Sequence, residues 1–215
     1  MRRHKLTGGT IQATRRAPDV TAFGRRAPGY DDGWLGRLHH DIVARTGGIV
    51  LSAQPYAHRI LDVGCGTGQL LQALASRCPD AVELTGIDPA AAMIDVARAA
   101  ATDPRISFAV GLAEHLPYPD HRFDVVVSTT SFDHWVDQRA GIAECSRVLA
   151  ADGRLIIADL FSPWLIPTCV GTRKDKARTK PRANRLLADL GLRVIHWHDV
   201  VPLIKAVVAT PAATA

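Results

Sequence analysis

The chain reads as a doubly wound α/β fold: a mostly parallel sheet with helices on both faces, closing in an antiparallel hairpin. Three observations carry that reading. Short runs rich in Val, Ile and Leu alternate with Ala-rich helical stretches between residues 59 and 159, the pattern of successive strand-helix-strand units. The first of these strands runs straight into glycines at alternate positions, Gly64, Gly66 and Gly68, a turn through which such a sheet can bring bare backbone close to a ligand. The last two apolar runs, 192–198 and 203–208, are separated by only a few residues, which suits an antiparallel hairpin.

The elements follow in order. Leu35, Leu38, Ile42, Val43, Ile49 and Val50 recur at roughly helical spacing, so 31–51 is a leading helix, with a break expected at Gly47-Gly48. Strands are expected at 59–63, 83–88, 105–110, 123–128 and 154–159, and helices at 70–77, 90–101 and 140–149. Between 111 and 122, Pro117, Pro119 and Asp120 replace helical periodicity; one crossover helix is therefore missing or reduced to a turn, and this loop is a candidate site element. Pro163 and Pro167 break the chain after Asp159, Pro181 opens a short helix, and Gly191 closes it. The chain thus divides into a basic, partly flexible segment 1–30, one domain over 31–209 and a frayed Ala/Thr/Pro tail at 210–215.

Bulk properties narrow the function. With 215 residues, 47% of them apolar, the chain can bury one core of ordinary size. Charge interrupts its apolar runs, as Lys205 does near the end, and none approaches the roughly 20 residues of a membrane span. Basic residues near the start are not followed by an apolar block, so no secretory signal is expected and a cytoplasmic protein is the default. Cys65, Cys78, Cys145 and Cys169 lack the paired spacing of a zinc or redox site and read as reduced thiols; no metal centre is expected. The net charge of +5 is uneven: residues 1–30 and 173–185 each carry +6, which leaves −7 on the rest. Neither basic segment interleaves aromatic residues, apart from Phe23 and Tyr30, so a solvated tail and loop is expected rather than a nucleic-acid surface.

The glycine turn narrows it further. A dinucleotide turn needs glycines at positions one, three and six, but counting from Gly64 puts Gln69 sixth, and from Gly66, Leu71. Asp62 stands just before the turn, where a carboxylate suits a cationic ligand and repels a pyrophosphate. Asp88 ends the second strand 20 residues beyond Gly68, where an acidic side chain can accept both hydroxyls of a ribose. Two acidic strand ends so placed fit an adenosine attached to a cation.

On these residues the chain resembles the class I S-adenosylmethionine-dependent methyltransferases, in particular the small-molecule group that includes the ubiquinone and menaquinone C-methyltransferases. Residues 60–68 look like the family's first motif, Gly86-Ile87-Asp88-Pro89 like its ribose-binding turn, and 111–124 like its adenine loop. Residues 128–135 stand where the family lines its methyl-transfer pocket, and Arg147-Val148-Leu149 with Asp152-Gly153-Arg154-Leu155 resembles its approach to the fifth strand. The resemblance implies a Rossmann-like sheet of about seven strands and S-adenosyl-L-methionine as cofactor, with S-adenosyl-L-homocysteine as product. It implies that Asp62, Gly64, Cys65, Gly66 and Gly68 hold the methionine end and that Asp88 with Pro89 holds the ribose. Gly111, Leu112, Ala113 and Glu114 would flank adenine, with Met93 and Ser128 nearby and Tyr30 either as a lid or packed against the first helix. One departure stands out: Leu112 occupies the position where the family usually has the Asp that receives the adenine amino group. Losing such a contact weakens binding by about 1–3 kcal/mol unless a neighbour compensates, so a rather weak donor affinity is expected.

Methyl transfer from a sulfonium needs no metal and needs a base only if the nucleophile must lose a proton. His134, following the fourth strand in Asp133-His134-Trp135, is the candidate base; the alternative is packing at the start of the next helix. His39 and His40 lie on the leading helix, and His196 and His198 share a strand face without a third ligand. The expected function is methyl transfer to a small or lipid-like acceptor. A non-catalytic S-adenosylmethionine-binding protein is an alternative, and an RNA methyltransferase a weaker one, because Ser128-Thr129-Thr130-Ser131-Phe132 does not match the Pro-Pro-aromatic run of base-methylating enzymes. An NAD oxidoreductase would also need a Tyr-x-x-x-Lys pair, and Tyr30, Tyr56 and Tyr118 have no such Lys.

Overall fold

The computed structural model describes residues 33–162 and 176–212, together with Arg25 and Ala27. The chain runs α1 (Gly33–Ala53), β1 (Arg59–Val63), α2 (Gln69–Ala75), β2 (Glu83–Asp88), α3 (Ala91–Ala100), β3 (Ile106–Val110), β4 (Phe123–Thr129), α4 (Gln138–Val148), β5 (Leu149–Leu160), α5 (Lys180–Asp189), β6 (Leu192–Val201) and β7 (Ile204–Pro211). The seven strands form one sheet in the order β3-β2-β1-β4-β5-β7-β6. The first five are parallel, and β7 lies antiparallel between β5 and β6. Strand order reverses between β1 and β4, and at such a reversal the carboxyl ends of the strands open a crevice.

The central strands are apolar nearly throughout because both faces of the sheet are covered. Successive residues of one strand enter opposite cores: Ile60, Val125 and Ile156 pack with Leu70, Leu71 and Leu74 of α2, whereas Leu61, Val126 and Ile157 pack with Ile142, Cys145 and Val148 of α4. Between β3 and β4 the expected helix is absent, and the loop closes on itself through a bridge between Leu112 and His115. Arg147 of α4 ties it down, donating to the carbonyls of Tyr118 at 2.8 Å and Leu116 at 3.0 Å. No helix of the described residues is long and apolar enough to cross a membrane.

Three local readings are corrected. Helix α1 runs unbroken through Gly47 and Gly48. Each glycine costs about 1 kcal/mol relative to alanine in a helix, but Ile42, Val43, Thr46 and Val50 are buried along the same stretch, and that packing outweighs the cost. Strand β5 begins at Leu149, not at 154, because Leu149 already pairs with Phe123 and a bulge absorbs the residues before Arg154 pairs with Val125. Strand β7 continues into the stretch read as a frayed tail: the buried Thr210 donates through Oγ1 to the Gly153 carbonyl at 3.0 Å, and the Ala212 amide reaches the Gly191 carbonyl at 2.8 Å.

The continuous α1 yields a stability prediction. A Cβ added at Gly48 would meet no atom within 4 Å, so Gly48→Ala is expected to stabilise the protein by about 0.5–1 kcal/mol through the unfolded chain's entropy. By calorimetry the Tm should rise by roughly 1–4 °C; a lower Tm would mean that Gly48 needs a conformation other than helical.

Candidate active site

The sharp exit from β1 requires its glycines. Gly64, Gly66 and Gly68 have φ of 77°, 53° and 79°, a left-handed region that costs other residues about 1–2 kcal/mol each. Amides of Gly64 and Cys65 both donate to the Ile87 carbonyl, at 2.7 and 3.1 Å, which pins the turn to the end of β2. Space differs sharply among the three. A Cβ on Gly64 would stand 1.8 Å from Ser131 Oγ, and one on Gly68 2.5 Å from Phe108 Cζ, whereas one on Gly66 would meet nothing within 4 Å. Gly66 therefore faces open space, the cleft at the sheet's carboxyl edge.

Two carboxylates flank this turn. Asp88 accepts the Gly66 amide on Oδ2 at 3.0 Å and the Ala90 amide on Oδ1 at 2.8 Å. Burial nevertheless raises its pKa, with those two bonds working against the shift. Asp62 is 2% exposed, and its Oδ1 has no hydrogen-bond partner. Burial, and secondarily the negative charge of Asp88, push its pKa up to about 8. The Cys65 thiol is raised as well, by burial and then by the two carboxylates, so it stays protonated and serves as a small residue in the turn.

The cleft encloses about 1060 Å³, its open mouth included. Besides the glycine turn, Pro89, Met93, Gly111, Leu112, Ala113 and Glu114 line it. Leu112 is 45% exposed, and Glu114 is already engaged through Oε1 by the Asp137 amide at 2.9 Å. Ser128 is buried in β4 and does not line the cleft; strand alternation puts Thr129 there instead, followed by Thr130 and Ser131. Tyr30 lies outside the described residues, as do Pro163, Trp164 and Pro167.

The opposite wall is a turn after β4. Thr130 takes a positive φ of 52°, and Phe132–His134 form one 3-10 turn. His134 lines the cleft and is exposed at its rim, beside the buried Trp135 and exposed Val136. Trp135 donates through Nε1 to Ser131 Oγ at 3.1 Å, and Gly141 of α4 makes room for its ring, since a Cβ there would lie 2.4 Å from Trp135 Cε3. Sequence reasoning passed over His39 and Val43, which α1 brings to the cleft, and Gln69 after the glycine turn, whereas Thr129, Thr130 and Ser131 lie within the run 128–135 that it places at the pocket.

The basic stretch 173–185 requires a further correction. Lys176 and Arg178 are not solvated: they are 8% and 7% exposed. Arg178 pairs through Nε and Nη2 with the buried carboxylate of Asp133, and Lys176 donates to the Trp135 carbonyl. Two cations expected at the surface are thus built into the interior beside the cleft.

Residues 61–157 match a family model described as a methyltransferase domain. The chain is 38% identical over 146 residues to a demethylmenaquinone methyltransferase of Deinococcus radiodurans, covering 66% of this chain and 59% of that protein. It is 33% identical over 144 residues to the 27-O-demethylrifamycin SV methyltransferase of Amycolatopsis mediterranei, covering 65% of this chain and 51% of that one. The chain spans about half the length of the curated relatives it matches. In fold it is similar to a SAM-dependent methyltransferase from Aquifex aeolicus, with a TM-score of 0.68 at 19% identity, covering 86% of this chain and 97% of that one. In its sheet order, its glycine turn and the domain matched over residues 61–157, the chain is similar to S-adenosylmethionine-dependent methyltransferases.

Proposed function

We propose that the chain transfers a methyl group from S-adenosylmethionine to a small, largely apolar acceptor bound between α1 and the turn after β4. The observation that carries this reading is the pair of carboxylates at the ends of β1 and β2, one of them buried with an oxygen that has no partner. A buried polar atom without a partner costs about 1–3 kcal/mol, and a cationic ligand in the cleft would supply the missing contact.

The residues present fit this donor. Asp62 would face its positive methionine end, Gly66 leaves room for close approach, and Asp88 keeps a second lone pair on each oxygen for a ribose diol. The loop from Gly111 to Glu114 would cover the base. The donor supplies an electrophilic methyl group; the protein's own part is to orient the acceptor and exclude water, and orientation is worth up to about 7–11 kcal/mol. Val43, Trp135 and Val136 offer the acceptor an apolar wall, and His134 stands at its edge where it can take a proton from a hydroxyl nucleophile. Relatives that act on demethylmenaquinone and on a rifamycin support an acceptor of this kind.

Thermal shift tests the donor. At a hundredfold excess over Kd, S-adenosylmethionine should stabilise the protein by about 2.7 kcal/mol, roughly 5–10 °C in Tm, and NAD should leave it unchanged. Asp88→Ala should remove the shift. Stabilisation by NAD alone would end this reading, and an unchanged shift in the variant would place the ribose elsewhere. A labelled-methyl assay across phenols, amines and RNA then identifies the acceptor, and no transfer to any of them would favour a binding protein.

A further inference from the structure

We propose that residues 176–178 are a strap that positions the cleft wall 131–136 from behind, with Arg178 as its positioning residue. The wall consists of a single 3-10 turn and its flanks: Phe132 and Trp135 pack into the core beside α4, while His134 and Val136 stand exposed at the cleft.

The three strap residues each hold a different part of that wall. Arg178 grips the Asp133 carboxylate through two nitrogens, and its own carbonyl accepts the Ser162 amide at 3.0 Å. Lys176 donates to the Trp135 carbonyl. The Ala177 amide donates to Gln138 Oε1 at 2.7 Å, and Gln138 passes the contact on through Nε2 to the Phe132 carbonyl at 3.0 Å. Asp133 is anchored a second time, its amide donating to Asp159 Oδ2 at 3.1 Å.

The wall touches the glycine turn directly. Ser131 occupies the space a Cβ on Gly64 would need, and its Oγ accepts Trp135 Nε1 at 3.1 Å. A path of packed groups therefore runs from Arg178 through Asp133 and the 3-10 turn to Ser131 and Gly64, although Arg178 does not line the cleft. The effect on the wall follows from these contacts alone; the effect on ligand affinity rests on the donor site proposed above. A basic stretch that looks like a solvated loop thus acts inward, on the geometry of the site.

The test uses Arg178→Met, with Arg178→Lys and Lys176→Met in case the first fails to fold, and the exposed Arg185→Ala as control. Hydrogen exchange followed by mass spectrometry reads the wall in the ligand-free protein, and calorimetry with S-adenosylhomocysteine reads the site. Amides of Asp133, His134 and Trp135 should exchange at least tenfold faster in Arg178→Met while those of β1 and β2 stay unchanged, with Arg178→Lys intermediate. The Kd should rise about tenfold in the same order, and Arg185→Ala should match wild type in both. Folded variants with wild-type exchange over 131–137 would overturn the strap. Faster exchange with an unchanged Kd would overturn its link to the ligand, and wild-type protein that binds no S-adenosylhomocysteine would instead overturn the donor reading while the exchange result still decides the strap.

Discussion

Replacing Gly64 with alanine is expected to abolish donor binding and to destabilise the protein strongly, whereas Gly66→Ala should abolish binding with a smaller loss of stability. Both residues sit in the left-handed region, so each substitution carries about 1–2 kcal/mol of backbone strain. Only Gly64 adds a collision with protein atoms. Its Cβ would lie 2.4 Å from the Cβ of Ser131, and Ser131 cannot turn away by rotating its hydroxyl, because the β-carbon itself is in the way. Moving the turn would break the Trp135–Ser131 bond, and overpacking of this kind costs about 1–3 kcal/mol. The sum, about 2–5 kcal/mol, is a large share of a domain's stability and corresponds to a Tm lower by on the order of 10 °C. At Gly66 the added methyl enters only the cleft. Thermal unfolding and calorimetric titration of the two variants separate the effects; equal losses of stability would show that the space around Gly66 is not open.

The same contrast shows which parts of the site could be read from the chain. Alternating Val/Ile-rich and Ala-rich runs, the glycine turn, Asp62 and Asp88 all lie within short windows, and their meaning follows from local conformation and spacing. Contacts between distant segments escaped that reading. His39 and Val43 reach the cleft because α1 packs on a face of the sheet, Val43 beside Val125 and Val127 of β4, and α1 stays continuous at Gly47 because buried neighbours outweigh its poor helix propensity. Ser128 and Thr129 differ by one residue, and the pleat of β4 decides which of them faces the cleft. Arg178 looked solvated because its partner, Asp133, is 45 residues away; charge density along a chain says nothing about such a pairing.

Donor affinity is expected to rise with pH up to about 8, and Asp62 is the reason. Its carboxyl titrates near 3.8 in the unfolded chain and at about 8 in the folded protein, chiefly through burial. The folded state therefore holds a proton that the unfolded chain gives up above pH 4. This group's contribution to stability then falls by about 1.4 kcal/mol per pH unit from roughly pH 4 to 8 and is level above that. Other shifted groups add to this dependence. Asp88 and Asp159, raised by burial, work in the same sense. Glu144 and Asp199, lowered by their contacts with Arg147 and Lys205, have the opposite sign and have gained their full effect once pH passes the ordinary carboxylate range. His198, lowered by burial, removes stability only as pH falls below its ordinary value.

A cation placed beside Asp62 favours its ionised form, so binding below pH 8 releases the proton, and affinity should increase by up to tenfold per pH unit until the group is ionised without ligand. Asp62→Asn removes that proton. The variant should be more stable than wild type at pH 8, having no buried charge to form, and should bind S-adenosylhomocysteine about 10- to 100-fold more weakly there, the worth of a hydrogen bond to a charged group. Its affinity should also lose the slope that wild type shows from pH 6.5 to 8. Protons that the ligand itself exchanges are common to both proteins, so the difference between the two curves isolates the carboxyl. Parallel curves would mean that Asp62 is ionised before the ligand arrives, and the buried oxygen without a partner would then be satisfied in the free protein by water.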